Sequence, residues 1–290
     1  MRCTTLAIVT GASRGYGAAL ALALAEKWGG ALEIALVARR SPELDASLLR
    51  VVRAPRPRGS PPLSARAHAI DLGDLDSLDS NLDEVFARLD PAVHERAVLI
   101  NNAGSLGDLC PVGDSNDSAA ARGSRLATWR HAVDLNVTSS CWLAERFVAE
   151  LSRAGLVGVR REAVSVASSP PPPSLLVNVS SLAAEQPFSS WGAYCTGKAA
   201  RDMLSRIVAS ERDAAELRVL NWAPGPMKTA MTDAILASPT VDPDILATFQ
   251  SMAKGDTASF VDKKESAARC IELLQAGEFE TGAHLDFFET

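Results

Sequence analysis

The opening segment constrains this chain most. Leu6-Ala7-Ile8-Val9 is an apolar run of strand length, Thr10-Gly11-Ala12-Ser13-Arg14-Gly15-Tyr16-Gly17 is a glycine-rich turn, and an alanine- and leucine-rich helical stretch follows at once. Glycines let backbone approach a pyrophosphate, and the free amides and positive dipole end of the following helix hold its charge. The glycine spacing is Gly-x3-Gly-x-Gly, so Gly11, Ser13, Arg14, Gly15, Tyr16 and Gly17 are candidate cofactor-binding residues. Beyond the turn the same alternation persists. Strands are predicted at 4–9, 32–38, 66–70, 97–101, 175–180, 216–222 and 283–287, with helices at 15–28, 42–52, 74–89, 126–152, 192–213, near 240–253 and at 263–276. That pattern predicts an α/β fold, a Rossmann-like doubly wound parallel sheet of about seven strands with helices on both faces. Because the alternation never breaks, residues 1–290 are read as a single domain.

Composition narrows the functional classes. With 47% hydrophobic and 22% charged residues and a net charge of −6, the chain reads as an ordinary globular protein, with no basic surface for nucleic acid. Cys3, Cys110, Cys141, Cys195 and Cys270 are scattered and odd in number, which fits reduced thiols and a cytoplasmic location. His68, His94, His131 and His284 have no metal-ligand spacing, so no metal is expected. No leader peptide and no membrane-spanning run are read. Two proline-rich stretches, near 54–64 and 153–174, read as surface insertions, since proline at that density blocks helix and central strand alike.

The chemistry-bearing residues follow later strands. Tyr194 and Lys198 stand at i and i+4 on a predicted helix, which puts an ammonium near a phenol and favours its ionised form. Ser181 lies thirteen residues upstream of Tyr194, at the end of Val177-Asn178-Val179-Ser180-Ser181. Asn101-Asn102-Ala103-Gly104 follows the fourth strand, Asn136 falls in a helix, and Pro224-Gly225 follows a later strand. Taken singly, each has a structural explanation as turn former, packing residue or cap. In this order and spacing they resemble the short-chain dehydrogenase/reductase family along nearly the whole chain.

The resemblance implies Tyr194 as proton donor to a carbonyl oxygen, Ser181 as hydrogen-bond donor to the same oxygen, and Asn136 as holder of a water that relays protons past Lys198. Lys198 and the oxidised nicotinamide ring are expected to lower the Tyr194 pKa from about 10. For the cofactor, Arg39 and Arg40 lie about 20 residues beyond the glycine turn, where an acidic residue would meet the ribose hydroxyl of NAD. Arginine there, with Arg14, suits a 2′-phosphate and points to NADPH/NADP+; the alternative is solvated charge at a strand end. By resemblance Asp71 and Leu72 contact adenine, and Asn101, Ala103 and Gly104 line its ribose. Tyr194 and Lys198 hold the nicotinamide ribose, while Pro224, Gly225, Met227 and Thr229 meet the nicotinamide. Without the resemblance, Asp71 would read as a helix cap.

Four runs, at 101–108, 194–204, 221–227 and 282–288, are similar to family members that reduce side-chain ketones of pterins in the last steps of tetrahydrobiopterin formation. Asp286 falls at the substrate-anchoring aspartate. Its carboxylate can accept the parallel amino and ring N–H donors of a pterin together, while Phe188, Trp191, Cys195 and Met227 are candidates for an apolar wall. The alternatives are a broad NADPH-dependent carbonyl or ketoacyl reductase and a non-catalytic NADP(H)-binding regulator. The 153–174 insertion, the polar loop at 108–125 and the basic Lys228 depart from the pattern. Helices 126–152 and 192–213 carry apolar residues on more than one face and, by resemblance, build a homodimer interface.

Overall fold

The computed structural model describes residues 4–56, 58–113, 119–157, 172–256 and 260–290. Seven strands form one sheet in the order β3-β2-β1-β4-β5-β6-β7, every neighbouring pair parallel. They are β1 (Thr4–Thr10), β2 (Ala31–Ala38), β3 (Leu63–Ala69), β4 (His94–Asn101), β5 (Ser174–Val179), β6 (Leu217–Ala223) and β7 (His284–Asp286). Parallel neighbours require crossovers, and helices supply them.

Strand period two sorts the core into two layers. Ala7 and Val9 face α1 (Gly15–Lys27) and α9 (Lys263–Ala276), and pack with Leu20, Leu24, Cys270 and Ile271. Leu6 and Ile8 face the other side and pack with Leu78 and Leu82 of α3 (Leu75–Phe86) and Leu143 and Phe147 of α5 (Ser139–Arg153). Burial on both faces explains why β1, β2, β4, β5 and β6 read as nearly continuous apolar runs.

The differences from expectation have local causes. The edge strand β3 starts at Leu63 rather than 66, because Ser64, Arg66 and His68 alternate with apolar residues and hide the strand in a polar stretch. It follows α2 (Pro42–Val52) through a turn that carries Arg56, whose Nη2 donates to the Trp28 carbonyl at 3.2 Å. The helix expected at 126–152 is three pieces: α4 (Ala119–Val133), a π-helical turn (Asp134–Thr138) and α5. An additional helix, α7 (Ala230–Ala237), precedes α8 (Pro243–Lys254). Most of the insertion expected at 153–174 lies outside the described residues, as does the middle of the loop at 108–125.

Order β2-β1-β4-β5 places a topological switch between β1 and β4, where chain leaves the sheet edge in opposite directions and a crevice opens at the strand carboxyl ends. The glycine turn, Asn101–Gly104, Ser181 and Pro224–Gly225 all leave strands at that end.

Candidate active site

The helix that carries Tyr194 and Lys198, α6 (Gly192–Glu211), is 20 residues long and turns one polar face into the protein. Tyr194, Lys198, Arg201, Asp202 and Ser205 recur at helical spacing and are all buried. The Tyr194 hydroxyl shares a hydrogen bond with Ser181, whose Oγ also accepts from the Ala183 amide at 3.2 Å and so is fixed at the start of a 3-10 turn. Lys198 Nζ lies 5.5 Å from the Tyr194 ring centroid and donates to the Val179 carbonyl at 2.6 Å. The three side chains therefore meet at the end of β5.

Their electrostatics differ from the sequence expectation. Burial raises the Tyr194 pKa above its ordinary value, against the Ser181 hydrogen bond and the positive charge of Arg201. Burial and the same Arg201 charge push the Lys198 pKa well below its ordinary value, while Asp202 opposes the shift. Desolvation disfavours the charged form of each group, so the acidifying effect expected of Lys198 on Tyr194 is outweighed. Arg201 is the cation that favours the phenolate.

Asn136 occupies the π-helical turn. Its Nδ2 donates to the Ser105 carbonyl and its Oδ1 accepts from the Ser105 amide, both at 2.8 Å. Both amide ends are thus committed to the loop after β4, and a water held here would meet backbone. A Cβ at Gly197 would stand 2.9 Å from the Asn136 Cβ, so glycine lets α6 lie directly on the π turn.

The glycine turn fits a dinucleotide. Gly11 has φ +64°, and a Cβ there would stand 2.8 Å from Asn102 Nδ2; a Cβ on Gly17 would fall 2.3 Å from the Gly11 carbonyl oxygen. The first would displace the Asn102 side chain at a left-handed φ that favours glycine, and the second, against backbone, leaves no room for a side chain. Gly15 has φ +59° and faces open space toward Thr229, whose Cγ2 would lie 3.9 Å from a Cβ placed there. The N-cap of α1 is Arg14, with no side-chain cap and no acidic residue in the first turn, so the leading amides remain available to an anion. Arg14, Arg39 and Arg40 are exposed around this turn, while Ser13 is half-buried within it. Tyr16 differs: its ring is buried, with its hydroxyl accepting from Trp222 Nε1 at 2.7 Å and 3.1 Å from Ser266 Oγ, so only its backbone faces the crevice.

The loop after β4 is tied to β1. The Thr10 hydroxyl accepts from the amides of Asn102 at 2.9 Å and Ala103 at 3.0 Å, and Asn102 Nδ2 donates to the Thr10 carbonyl at 2.9 Å. Asn101 is buried and donates from Nδ2 to the Ser140 carbonyl at 2.8 Å, bracing the loop rather than lining it. Gly104 is packed so that a Cβ would stand 3.0 Å from Asn136 Oδ1. Asp71 is exposed and accepts from the Gly73 amide at 3.0 Å, a local turn rather than a helix cap; Leu72 beside it is buried.

On the substrate side, Trp191 packs against Tyr194 edge-on at 5.6 Å, against Phe188 at 5.4 Å and against Phe249 of α8 at 5.8 Å. Cys195 joins this cluster with Leu106 and Leu109. Met227 does not: it is buried in the layer beneath α1 and α9, and its carbonyl accepts from Thr232 Oγ1 at 2.5 Å. Gly225 has φ +77° and Thr229 caps α7 without a side-chain bond. Pro224 is half-buried, and its carbonyl accepts from Ser266 Oγ at 3.0 Å. Asp286, paired in register with Ala223, stands at the carboxyl end of β7. It is half-buried, and its Oδ1 accepts from the Phe288 amide at 3.0 Å within a capping box completed by Glu289.

A family model described as short chain dehydrogenase matches residues 5–239. The chain belongs to that family. Among curated relatives, sepiapterin reductase of Meriones unguiculatus is 35% identical over 97% of this chain and 95% of its own length, and that of Rattus norvegicus is 34% identical over the same shares. Benzil reductase ((S)-benzoin forming) of Bacillus subtilis is 26% identical over 98% of both chains. Among solved structures, the KRED1-Pglu enzyme superposes with a TM-score of 0.71 at 21% identity, over 97% of this chain and 100% of that one. An NAD+-bound xylitol dehydrogenase gives 0.69 at 22% identity, over 98% and 97%. The short-chain dehydrogenase fold is thereby shown. Among the described residues no group of three metal-binding side chains occurs, and no helix is long and apolar enough to cross a membrane.

Proposed function

We propose that the chain is a cytoplasmic NADPH-dependent reductase of ketones on the side chain of a pterin, acting in tetrahydrobiopterin formation. The observation that carries the reading is the convergence of Ser181, Tyr194 and Lys198 beneath an aromatic wall, on a chain whose full-length relatives at about one-third identity are sepiapterin reductases. Fold does not choose the cofactor, since a neighbour of similar likeness holds NAD+. The side chains do: Arg39 and Arg40 present two exposed guanidinium groups at the end of β2 and no carboxylate for a ribose diol.

Bound NADPH supplies the hydride. Tyr194 donates its proton to the oxygen that accumulates charge, and burial suits it to this direction of reaction by keeping the phenol protonated near neutrality. Ser181 donates to the same oxygen. Lys198, whose proton is loosened by burial, restores the phenol, with the backbone of the Asn136 π turn positioning water behind it. Asp286 accepts the paired donors of the pterin ring once its bond to the Phe288 amide is given up, and Phe188, Trp191 and Cys195 cover the ring face.

A second reading has its own support. Asp286 is already used in a capping box and one relative reduces benzil, which fits a broader carbonyl reductase. NADPH oxidation assayed with sepiapterin beside simple diketones, on the natural chain and on Asp286→Ala, separates the two. Pterin turnover lost at least about 100-fold with diketone turnover kept supports the pterin reading; equal effects on both support the broader one.

The functional unit is a homodimer. Leu126, Trp129 and Val133 of α4 and Met203 and Ile207 of α6 form exposed apolar stripes on the helices that carry the site, and a second copy would cover them.

A further inference from the structure

One buried group in this region takes no direct part in the chemistry above. Arg201 is 3% exposed, three residues beyond Lys198 and seven beyond Tyr194 on the same face of α6. Each of its three guanidinium nitrogens donates a hydrogen bond. Nε donates to Asn178 Oδ1 of β5 at 2.8 Å, Nη1 donates to the Ala103 carbonyl at 2.9 Å, and Nη2 donates to the Asn101 carbonyl. A single side chain thus ties the catalytic helix to the strand that leads to Ser181 and to the Asn101–Gly104 turn at the cofactor side.

The next residue anchors the opposite charge. Asp202 Oδ1 accepts from Asn178 Nδ2 at 2.7 Å and from Ser180 Oγ at 2.5 Å, and its Oδ2 lies 2.6 Å from His284 Nδ1 on β7. Asn178 therefore bridges the two: its Oδ1 serves Arg201 and its Nδ2 serves Asp202. The other titratable groups facing this cluster are Cys195 from α6 and Cys141 from α5, with Glu185 and Arg206 behind His284. Burial holds the Cys141 thiol neutral. Two potential cations, Lys198 and Arg201, thus share one close carboxylate.

We propose that Arg201 is a positioning residue: it clamps α6 to the cofactor-side turn and supplies the permanent buried cation against which Tyr194 gives up its proton, leaving Lys198 free to be the proton-exchanging one. The division follows from chemistry. A lysine in a dry site sheds its proton readily, whereas a guanidinium keeps its charge, and even the burial that draws the Arg201 pKa down to about 10 leaves it charged near neutrality. A fixed cation costs no reorganisation when negative charge appears on the phenol. Its place could not be taken by lysine without loss, because three acceptors in different directions need the planar fork.

This inference rests on Tyr194 as proton donor, and the test keeps the two apart. The alkaline limb of kcat/KM for NADPH-linked ketone reduction reports proton loss from the Tyr194 and Lys198 pair together, and the ultraviolet phenolate absorbance that Tyr194→Phe removes reports the phenol alone; both are followed. Arg201→Met should move that limb upward by about one unit, and Asp202→Asn, which removes the balancing carboxylate, should move it downward. Arg201→Lys, whose ammonium sheds its proton in so dry a site, should also move the limb upward, by less than Arg201→Met, while losing kcat and weakening NADPH binding measured by fluorescence titration. Opposite displacements in the two charge variants cannot come from general loosening of the fold. Limbs that stay in place, or move together, in chains whose NADPH binding persists overturn the role of Arg201. Should Arg201→Met fail to fold, the Asp202→Asn and Arg201→Lys profiles still decide. Undiminished turnover in Tyr194→Phe would instead sink the proton-donor reading itself.

Discussion

The two halves of the crevice are built by different means. On the side of β1 and β2, the site is backbone: glycines with positive φ, free helix amides and exposed arginines, none of it held by buried charge. On the side of β5 to β7, it is a cluster of buried ionisable groups, Tyr194, Lys198, Arg201, Asp202 and the partly shielded His284, each held by a named partner, with only the His284 Nε2 left unpaired among them. The first half recognises a ligand that brings its own charges and needs shape and open amides. On the proposed reading the second holds charges in a dry place while a proton moves, and needs those charges paired. Substitutions should therefore fail differently: through steric exclusion of the cofactor in one half, through lost chemistry in the other.

The largest effect belongs to the reaction half. Tyr194→Phe keeps the ring packed against Trp191 and removes only the hydroxyl, so NADPH should bind as before while turnover falls by at least about a thousand-fold, read as NADPH oxidation. In the cofactor half, Gly17→Ala forces a methyl to 2.3 Å from the Gly11 carbonyl. NADPH affinity by fluorescence titration should drop by about 100-fold or more, with a lowered Tm, because backbone cannot yield as a side-chain tip can. Arg39 and Arg40 act more gently. Their joint replacement by alanine should cut the preference for NADPH over NADH by roughly tenfold to a hundredfold in kcat/KM, with kcat for NADH unchanged; an unchanged preference would make them plain surface charge.

The smallest effect is one of stability. Burial alone would lower the His284 pKa, but the hydrogen bond and charge of Asp202 more than offset it and raise it. A base with a raised pKa stabilises the fold fully below its ordinary value of 6.5 and loses that contribution as pH climbs through the raised value. His284→Gln should therefore cost more stability at about pH 5.5 than at about pH 9, the difference being less than about 1 kcal/mol after solvent screening and read as a larger fall in Tm at the lower pH. A Tm difference independent of pH would mean that the Asp202 contact is made by neutral imidazole alone.

How much was legible in the sequence follows the same division. The sheet, the glycine turn and the Tyr194, Lys198 and Ser181 group are written in local spacing, and each lies where an apolar run or a helical period puts it. The placement of Met227 and Tyr16 is not local: both side chains turn into the layer under α1 and α9, a choice made by packing from distant elements. The π turn at Asn136 is equally silent, since one extra residue per turn leaves the polar and apolar sequence unchanged. Helix α7 was missed because eight residues between a proline-rich loop and a polar one give too short a period to read. The Arg201 and Asp202 pair had a readable signal: positions 194, 198, 201, 202 and 205 form a polar stripe on one helical face, rare for a helix that packs on a sheet. The partners that make it a network come from β5 and β7, and only the fold supplies them.

The central claim is proton donation by Tyr194 to a ketone oxygen. Mixing NADPH-loaded Tyr194→Phe with excess sepiapterin and following the loss of reduced nicotinamide absorbance in a single turnover tests it most directly. Tight NADPH binding with no absorbance loss on the timescale of the natural chain is the predicted result; a single turnover at the natural rate would contradict it.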